Sequence, residues 1–256
     1  MSLPCQVVAW RVADGPRQMS TDEAMLDMVA LGKASSLYRT YSWAEPTLSL
    51  GYFQRLADVS EEDRFRSVPV VRRPSGGGAL WHEATREMTY AVVVPESHPL
   101  ARPSSKLYQA VHAAIATTLR SYHIPAERRA DLPPTPRLEP KPLLCFLDQD
   151  DDDLLIAGHK IVGSAQRRRH GAVLQHGSIV MGRSATTPEL PGIEDLIIGD
   201  PVVTWVDFFA ELNRAIFEVL KLDPSEIHPD DQSHLDRAAS RLEVDRYRTT
   251  LWNARR

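Results

Sequence analysis

The sequence contains only two cysteines, Cys5 and Cys145, in 256 residues. Two cysteines cannot build a disulfide framework, and they favour a reducing cytoplasm in which Cys145 would be a free thiol. No apolar run approaches the ~20 residues that a membrane helix needs. The first residues also lack the basic and apolar regions of a secretory signal. We therefore expect a cytoplasmic protein with no membrane partner.

The sequence also has little net charge, -4 at pH 7, which argues against general binding to nucleic acid. No internal repeat and no low-complexity linker is visible, and we expect a monomer. The arginines nevertheless cluster, at Arg72–Arg73 and at Arg167–Arg169. Local basic patches on an acidic protein suggest anionic ligands or acidic partners, although solvated surface is the commoner explanation.

Short strand-like segments are interleaved with a few helical patterns, without a regular βαβ alternation. Strands are predicted at 6–12, 36–43, 47–54 and 87–95, and a hairpin is predicted to turn at Gly158–His159. Helices are predicted from a capping box at Ser20 and Glu23 to Gly32, and over 104–124, 205–222 and 230–256. This order predicts an α+β protein with a mixed, largely antiparallel sheet flanked by helices. We expect one catalytic domain over residues 1–256, with C-terminal helices from about 204.

Three consecutive glycines, Gly76–Gly78, follow Arg73 in the stretch "RRPSGGGALWH". Such a run lets backbone N–H groups point into one concavity that suits phosphate or carboxylate, and Arg73 is close enough to add charge. A plain hairpin turn is the alternative. No Gly-Lys-Ser/Thr follows, so the stretch is not a Walker loop. His82, at the end of this stretch, is either a pocket residue or base, or a histidine satisfied by the backbone.

Lys160 stands inside a predicted strand, fifteen residues after Cys145. It either reaches water at a strand edge or is held in a pocket, where it polarises an acyl carbonyl or pairs with a phosphate. Cys145 is likewise either a small core residue or a reactive thiol that needs nearby positive charge. The acidic run Asp148–Asp153 lacks the glycine and glutamate of a calcium loop, so it predicts a solvated loop.

These segments, in this order, resemble the biotin/lipoate protein ligase and octanoyltransferase superfamily. The resemblance covers most of the chain from Gly15 to about Ile179 and rests on "YSWAEPTLSLGYFQ", "VVRRPSGGGALWHEATREMTYAVVVP" and "CFLDQDDDDLLIAGHKIVGSAQRRRHGAVLQHGSI". It implies a biotin/lipoyl ligase-like fold around a curved acyl pocket. The Cys-Phe pair before "GHKIVGSAQ" is similar to the cysteine-dependent octanoyltransferase branch.

That branch implies octanoyl transfer from acyl carrier protein, through a thioester on Cys145, to a lysine of a lipoyl domain or a glycine cleavage H-type protein. It needs no cofactor. An ATP-dependent lipoate–protein ligase, using ATP and Mg to form lipoyl-AMP, is the first alternative, and a non-catalytic acyl- or lipoate-binding relative is the second. Leu80, Val173 and Leu174 are expected to hold the acyl tail, and Arg72 with Arg167–Arg169 to dock acidic carriers.

The candidate catalytic residues are Cys145 and Lys160, and no metal ligand is expected. The small residues around these positions allow a ligand to approach the backbone closely, and neighbouring hydroxyl and imidazole groups add polarity. The candidate substrate-binding residues are Arg73, Ser75, Gly76, Gly77, Gly78, Ala79, His82, Gly163, Ser164, Ala165, His176, Gly177 and Ser178.

Overall fold

The computed structural model describes residues 2–136, 138–197 and 204–255. A nine-stranded sheet forms its centre, with the strand order β12-β1-β3-β7-β11-β10-β9-β8 and with β2 paired to β3. These strands are β1 (Leu3–Val7), β2 (Arg11–Ala13), β3 (Leu37–Trp43), β7 (Glu87–Pro95), β8 (Glu127–Arg128), β9 (Leu154–Ile156), β10 (His159–Arg169), β11 (Ala172–Val180) and β12 (Leu222–Glu226). A smaller sheet has the order β5-β4-β6, with β4 (Thr47–Leu50), β5 (Val70–Arg72) and β6 (Leu80–His82).

The large sheet is mixed and mostly antiparallel, as the sequence predicts. Strand β1 is parallel to β12 and to β3, whereas the pairs from β3 through β7, β11, β10, β9 and β8 are antiparallel. The helices are α1 (Gly15–Ala30), α2 (Leu56–Ser60), α3 (Ser104–Ser121), α4 (Ile193–Leu196), α5 (Trp205–Val219), α6 (Pro229–Leu242) and α7 (Thr250–Asn253). A π-helical turn follows α6 at Glu243–Tyr247.

Helices cover both faces of the large sheet, and the central strand β7 shows why. Tyr90, Val92 and Val94 belong to one apolar cluster with α3 and α5, while Ala91 and Val93 belong to another with α1 and α6. Successive side chains of a strand point to opposite faces, so an unbroken apolar run fits a strand that is buried on both sides. The predicted α+β architecture is therefore confirmed.

Helix α1 begins five residues before its predicted capping box. The Asp14 side chain caps it by accepting a hydrogen bond from the Arg17 N–H at 3.0 Å, and Pro16 occupies the first turn. Ser20 is instead buried inside the helix, where its hydroxyl donates to the Arg17 carbonyl. The predicted start is wrong, whereas the predicted end before Gly32 is confirmed.

The predicted hairpin exists, but its turn lies one residue earlier, at Ala157–Gly158. Both residues have positive φ, 49° and 80°, which is the conformation of a two-residue type I′ turn. His159 is therefore the first residue of β10 and not part of the turn. The helix predicted over 205–222 ends earlier than predicted: α5 stops at Val219, and Leu222 already belongs to the edge strand β12 beside β1.

The glycine run does not make a simple hairpin. Strands β5 and β6 flank it, but each pairs with β4 and not with the other. The loop between β5 and β6 therefore connects two strands that lie on opposite sides of β4. In the described ranges, no helix combines the length and apolarity of a membrane span.

Candidate active site

A cavity of about 1330 Å³ opens between the glycine loop, β10, β11 and the start of α3. Its wall includes the 3-10 turn Cys145–Leu147 and the loop that follows it. Apolar and aromatic side chains from α1, β3 and β6 form one part of the lining: Met19, Tyr41, Trp43 and Leu80. The proline-rich stretch 132–136 and the acidic stretch 148–152 form another part. The cavity therefore combines an apolar wall with a polar and charged one, and a concave site of this kind can hold a small molecule.

Cys145 and Lys160 meet in the wall of this cavity. The Lys160 Nζ lies 3.7 Å from the Cys145 Sγ and 3.3 Å from the Cys145 carbonyl oxygen. Cys145 is half-buried, and Lys160 is 5% exposed. A cation beside a thiol favours the nucleophilic thiolate form. Lys160 is thus a pocket lysine and not one that reaches water at a strand edge.

The partner that balances the buried Lys160 is Asp153, whose Oδ2 lies 2.7 Å from Nζ. Asp153 is fully buried, so the prediction of a solvated loop is wrong for the last residue of the acidic run. Burial alone would lower the pKa of Lys160, but Cys145 and Asp153 oppose it, and the pKa is raised above its ordinary value. A sequence signal existed, because a buried lysine needs an anionic partner and Asp153 directly precedes a buried strand.

Gly163 makes room for the lysine side chain. A Cβ at this position would lie 2.6 Å from the Lys160 Cε and 3.1 Å from its Nζ. Any larger residue would therefore push the ammonium away from Cys145. The glycine of the Gly-Ser-Ala stretch is thus needed for the close approach of the Lys160 side chain.

Arg73 fixes the glycine loop through hydrogen bonds to its main chain. Its guanidinium donates to the carbonyls of Gly76 and Gly78 at 3.1 and 2.8 Å, and to the carbonyl and hydroxyl of Ser49. Burial lowers the pKa of Arg73. Across the part of the chain that the structure describes, the N–H groups of Gly76, Gly77 and Gly78 have no hydrogen-bond partner. They are available as donors to an oxyanion or a phosphate.

Two histidines that line the cavity have both ring nitrogens engaged. His82 hydrogen-bonds through Nδ1 with Glu87 and through Nε2 with Ser49, each at 2.6 Å, and burial lowers its pKa. His176 hydrogen-bonds through Nδ1 with Asp22 at 2.7 Å and through Nε2 with Ser75 at 2.5 Å. These contacts fix the loop and the strands, so neither imidazole has a nitrogen free to act as a base.

The hydroxyl and the N–H of Ser164 are also engaged in hydrogen bonds. Its hydroxyl lies 2.6 Å from the Tyr90 hydroxyl and 2.7 Å from the His112 Nε2, and its N–H donates to the Tyr108 hydroxyl at 2.9 Å. The bend of β10 beside Lys160 therefore has its polar groups satisfied from α3 and β7. Ser164 positions the strand, although it also lines the cavity.

Most of the predicted site residues lie in the cavity wall. Those in the lining are Arg73, Gly76, Gly77, His82, Cys145, Lys160, Gly163, Ser164, Ala165, His176, Gly177 and Ser178, whereas Ser75, Gly78 and Ala79 are outside it. Gly78 and Ala79 instead contact the backbone around Cys145. Ser75 is buried and hydrogen-bonds with His176. Whether the residues of the wall bind substrate stays a prediction.

Two of the three predicted tail-binding residues belong to the protein core. Val173 and Leu174 are fully buried on opposite faces of β11, in the two apolar clusters, and only Leu80 lines the cavity. Sequence reasoning missed the inner wall of Met19, Trp43 and Thr89. The alternation of β3, which places Trp43 with Tyr41 on one face, was the available signal.

The predicted docking role of Arg72 is also wrong. Arg72 is fully buried, and its guanidinium donates to main-chain carbonyls at the turn after β4 and at α7. Arg168 and Arg169 are engaged with Glu96 and Glu23, respectively. Arg167 lies over the ring of Tyr52, at 5.2 Å from its centroid. Arg255 lies over the same ring at 4.5 Å.

No cluster of three or more His, Cys, Asp or Glu residues able to hold a metal ion occurs within residues 2–136, 138–197 and 204–255. The groups that the cavity wall does offer are a thiol beside an ammonium, with the unpaired backbone N–H groups of the glycine loop nearby. This set suits covalent acyl transfer.

Comparison with known proteins assigns the chain to a family. A model described as the lipoyl protein ligase A/B catalytic domain matches residues 14–187, more than half of the chain. The chain belongs to this family. It is 36% identical over 168 residues to the octanoyltransferase LipM of Macrococcus caseolyticus, a match covering 63% of this chain and 60% of that protein. It is 36% identical over 174 residues to the octanoyltransferase LipM of Geobacillus kaustophilus, covering 64% and 60%.

The match spans about 60% of the length of these relatives. Among solved structures, protein Ta0514 from T. acidophilum with bound lipoic acid has a TM-score of 0.75, with 18% identity and coverage of 100% of both chains. At that identity the likeness concerns the fold, and it confirms the biotin/lipoyl ligase-like architecture. The superfamily resemblance drawn from the motifs is confirmed as well.

Proposed function

We propose that this lipoyl protein ligase A/B family member is an octanoyltransferase that uses Cys145 as its nucleophile. The observation that carries the proposal is the 3.7 Å separation between the Cys145 Sγ and the Lys160 Nζ in the cavity wall. The similarity to proteins named octanoyltransferase LipM supports the same acyl group and the same reaction class.

In the first step the Cys145 thiolate attacks the carbonyl carbon of an octanoyl thioester on acyl carrier protein. The new C–S bond to Cys145 forms, the carrier's C–S bond breaks, and the carrier leaves as a thiolate that takes a proton from solvent. The ammonium of Lys160 and the free N–H groups of the glycine loop stabilise the oxyanion of the tetrahedral intermediate.

In the second step the amine of a target lysine attacks octanoyl-Cys145. The C–N amide bond forms, the C–S bond breaks, and the Cys145 thiolate is regenerated while the amine loses a proton. The apolar wall of the cavity holds the acyl tail, which contributes ~0.8 kcal/mol for each buried methylene. The proposed acceptor is a lipoyl domain or a glycine cleavage H-type protein, and a cytoplasmic monomer is the form we expect to act.

Incubation with octanoyl-carrier protein in the absence of ATP tests the proposal by intact mass. An octanoyl adduct that hydroxylamine removes, and that is absent from Cys145→Ala, is the expected result. The matched control is Cys5→Ala, because Cys5 is fully buried and should leave the adduct unchanged. An adduct that persists in Cys145→Ala refutes the nucleophile.

The second candidate is an ATP-dependent lipoate–protein ligase, favoured by the unpaired N–H groups of Gly76–Gly78, which also suit an adenylate phosphate. Under this function ATP with Mg is a substrate, and Cys145 is a wall residue. Lipoyl transfer to a lipoyl domain that requires ATP and survives Cys145→Ala would establish it. Absence of both reactions, with octanoate or lipoate binding retained, would instead indicate a non-catalytic binding protein.

A further inference from the structure

Every group that touches the Lys160 ammonium is a hydrogen-bond acceptor. Its Nζ lies 2.7 Å from the Asp153 Oδ2, 3.2 Å from the Asp148 carbonyl oxygen, 3.3 Å from the Cys145 carbonyl oxygen and 3.7 Å from the Cys145 Sγ. An ammonium is a donor only, with three hydrogens to place. A neutral amine would turn a lone pair toward these acceptors, so this shell favours the charged form.

Asp153 is itself fixed by two further donors. Its Oδ1 accepts a hydrogen bond from the Tyr108 hydroxyl at 2.7 Å, and its Oδ2 accepts one from the Asp150 N–H at 2.8 Å. Its side chain has no exposed surface. The carboxylate is therefore held against Lys160 by hydrogen bonds from α3 and from its own loop.

Other charged or titratable groups surround the pair but do not substitute for Asp153. In the described part of the chain, Asp153 provides the single carboxylate within 4.0 Å of the Lys160 Nζ. Four other titratable or charged groups lie around the pair. They are Asp150 of the acidic loop, Tyr108 and His112 of α3, and Arg73 after β5. Arg73 is a second cation on the Cys145 side, so it cannot supply the missing negative charge.

We propose that Asp153 is a positioning residue that keeps Lys160 an ammonium throughout acyl transfer, so that Lys160 stabilises charge and does not accept the proton of the acceptor amine. The inference rests on the proposed function for its catalytic meaning, but its structural basis is independent of the acyl donor. The departing amine proton then passes to solvent, while the electron pair of the broken C–S bond returns to Cys145 beside Lys160.

The test compares Asp153→Asn with Asp223→Asn, the same change at an exposed aspartate of β12 that lies outside the cavity lining. Loss of a charge in contact with the ammonium should move the alkaline fall of kcat/KM down by about one to three pH units. Asp223→Asn should leave the alkaline limb in place. An unchanged alkaline limb in folded Asp153→Asn would overturn the proposal.

A measurement without turnover separates this proposal from the octanoyltransferase assignment. The chain has five lysines, so ¹³C-labelled lysine side chains give few signals, and Lys160→Met identifies the one that matters. In the resting wild-type protein we expect Lys160 to titrate above the ~10.4 of a free lysine, and to titrate below it in Asp153→Asn. A wild-type Lys160 that titrates below the other lysines refutes the inference, even where Asp153→Asn does not fold and whatever reaction the protein performs.

Discussion

Acidification should destabilise this protein through the buried histidine His112. Its side chain is almost fully buried, with Nδ1 donating to the Asp152 carbonyl at 2.7 Å and Nε2 facing the Ser164 hydroxyl at 2.7 Å. Burial is the largest influence, the Asp152 carbonyl opposes it and the charge of Lys160 adds to it, and the pKa of His112 falls from 6.5 to about 3. The neutral imidazole therefore belongs to the folded state.

The sign and size of the effect follow from linkage. Between pH 6.5 and about 3 the unfolded chain binds a proton at His112 and the folded chain does not, so the free energy of unfolding decreases as pH falls. One pH unit corresponds to about 1.4 kcal/mol. Acidification from neutral pH to about pH 5 should thus remove about 2 kcal/mol through this residue alone.

Urea unfolding at neutral pH and at about pH 5 measures the effect in the wild type and in His112→Gln. The substitution has its own cost, but only the change with pH within each protein is compared. That change should be about 2 kcal/mol smaller in His112→Gln. His159→Gln, at an exposed histidine, is the control and should respond to pH like the wild type. Equal pH dependence in all three proteins would refute the reasoning.

Three further experiments, with two single variants and one double variant, test the site and the residues that support it. Gly163→Ala places a methyl group 2.6 Å from the Lys160 Cε, so steady-state kcat/KM for octanoyl transfer should fall about 100-fold while thermal unfolding changes little. Arg39→Met removes the guanidinium that pairs with the buried Asp22 carboxylate at 2.6 Å and leaves that carboxylate with only its His176 and Tyr41 hydrogen bonds. The loss should cost about 3–5 kcal/mol in urea unfolding, and a loss below about 1 kcal/mol contradicts this. Arg167→Gln with Arg255→Gln should raise KM for acyl carrier protein and flatten its salt dependence. Unchanged KM for a small octanoyl thioester is the control, and an equal effect on both donors would count against docking.

The fold could be predicted where a local pattern decided it. Five of the nine residues of Glu87–Pro95 are β-branched or aromatic and the run ends at a proline, so a strand is favoured over a helix there. Helix α1 was harder, because Asp14 and Ser20 are both good N-caps, and only packing of Ser20 inside the helix selects the earlier start. The pairing of β1 with β12 joins residues about as far apart as the chain allows, and no local signal encodes it.

The sequence allowed prediction of which residue types the site contains, but not of which side chains line the cavity. The cysteine, the lysine and the glycine run were visible, and they do converge. Which residues of β11 reach the cavity depends on the course of the sheet: Val173 and Leu174 lie in the core, whereas His176 and Gly177 farther along face the cavity. Asp153 was hidden among exposed aspartates, and only the burial of Lys160 distinguishes it.

The glycine run supports the segment that carries Cys145 and is not a plain hairpin turn, whereas its use as an anion site stays a prediction. A Cβ at Gly78 would lie 2.9 Å from the Cys145 N and 3.0 Å from its Cα, so only glycine lets the two segments pass. The Ala79 N–H donates a hydrogen bond to the Leu143 carbonyl, and the Ala79 carbonyl accepts one from the Cys145 N–H, each at 2.8 Å. The loop that presents free N–H groups is therefore the one that holds the thiol. Because Arg73 fixes that loop and Asp153 fixes Lys160, the backbone N–H groups, the Cys145 thiol and the Lys160 ammonium are positioned before any ligand arrives, as electrostatic catalysis under the proposed function requires.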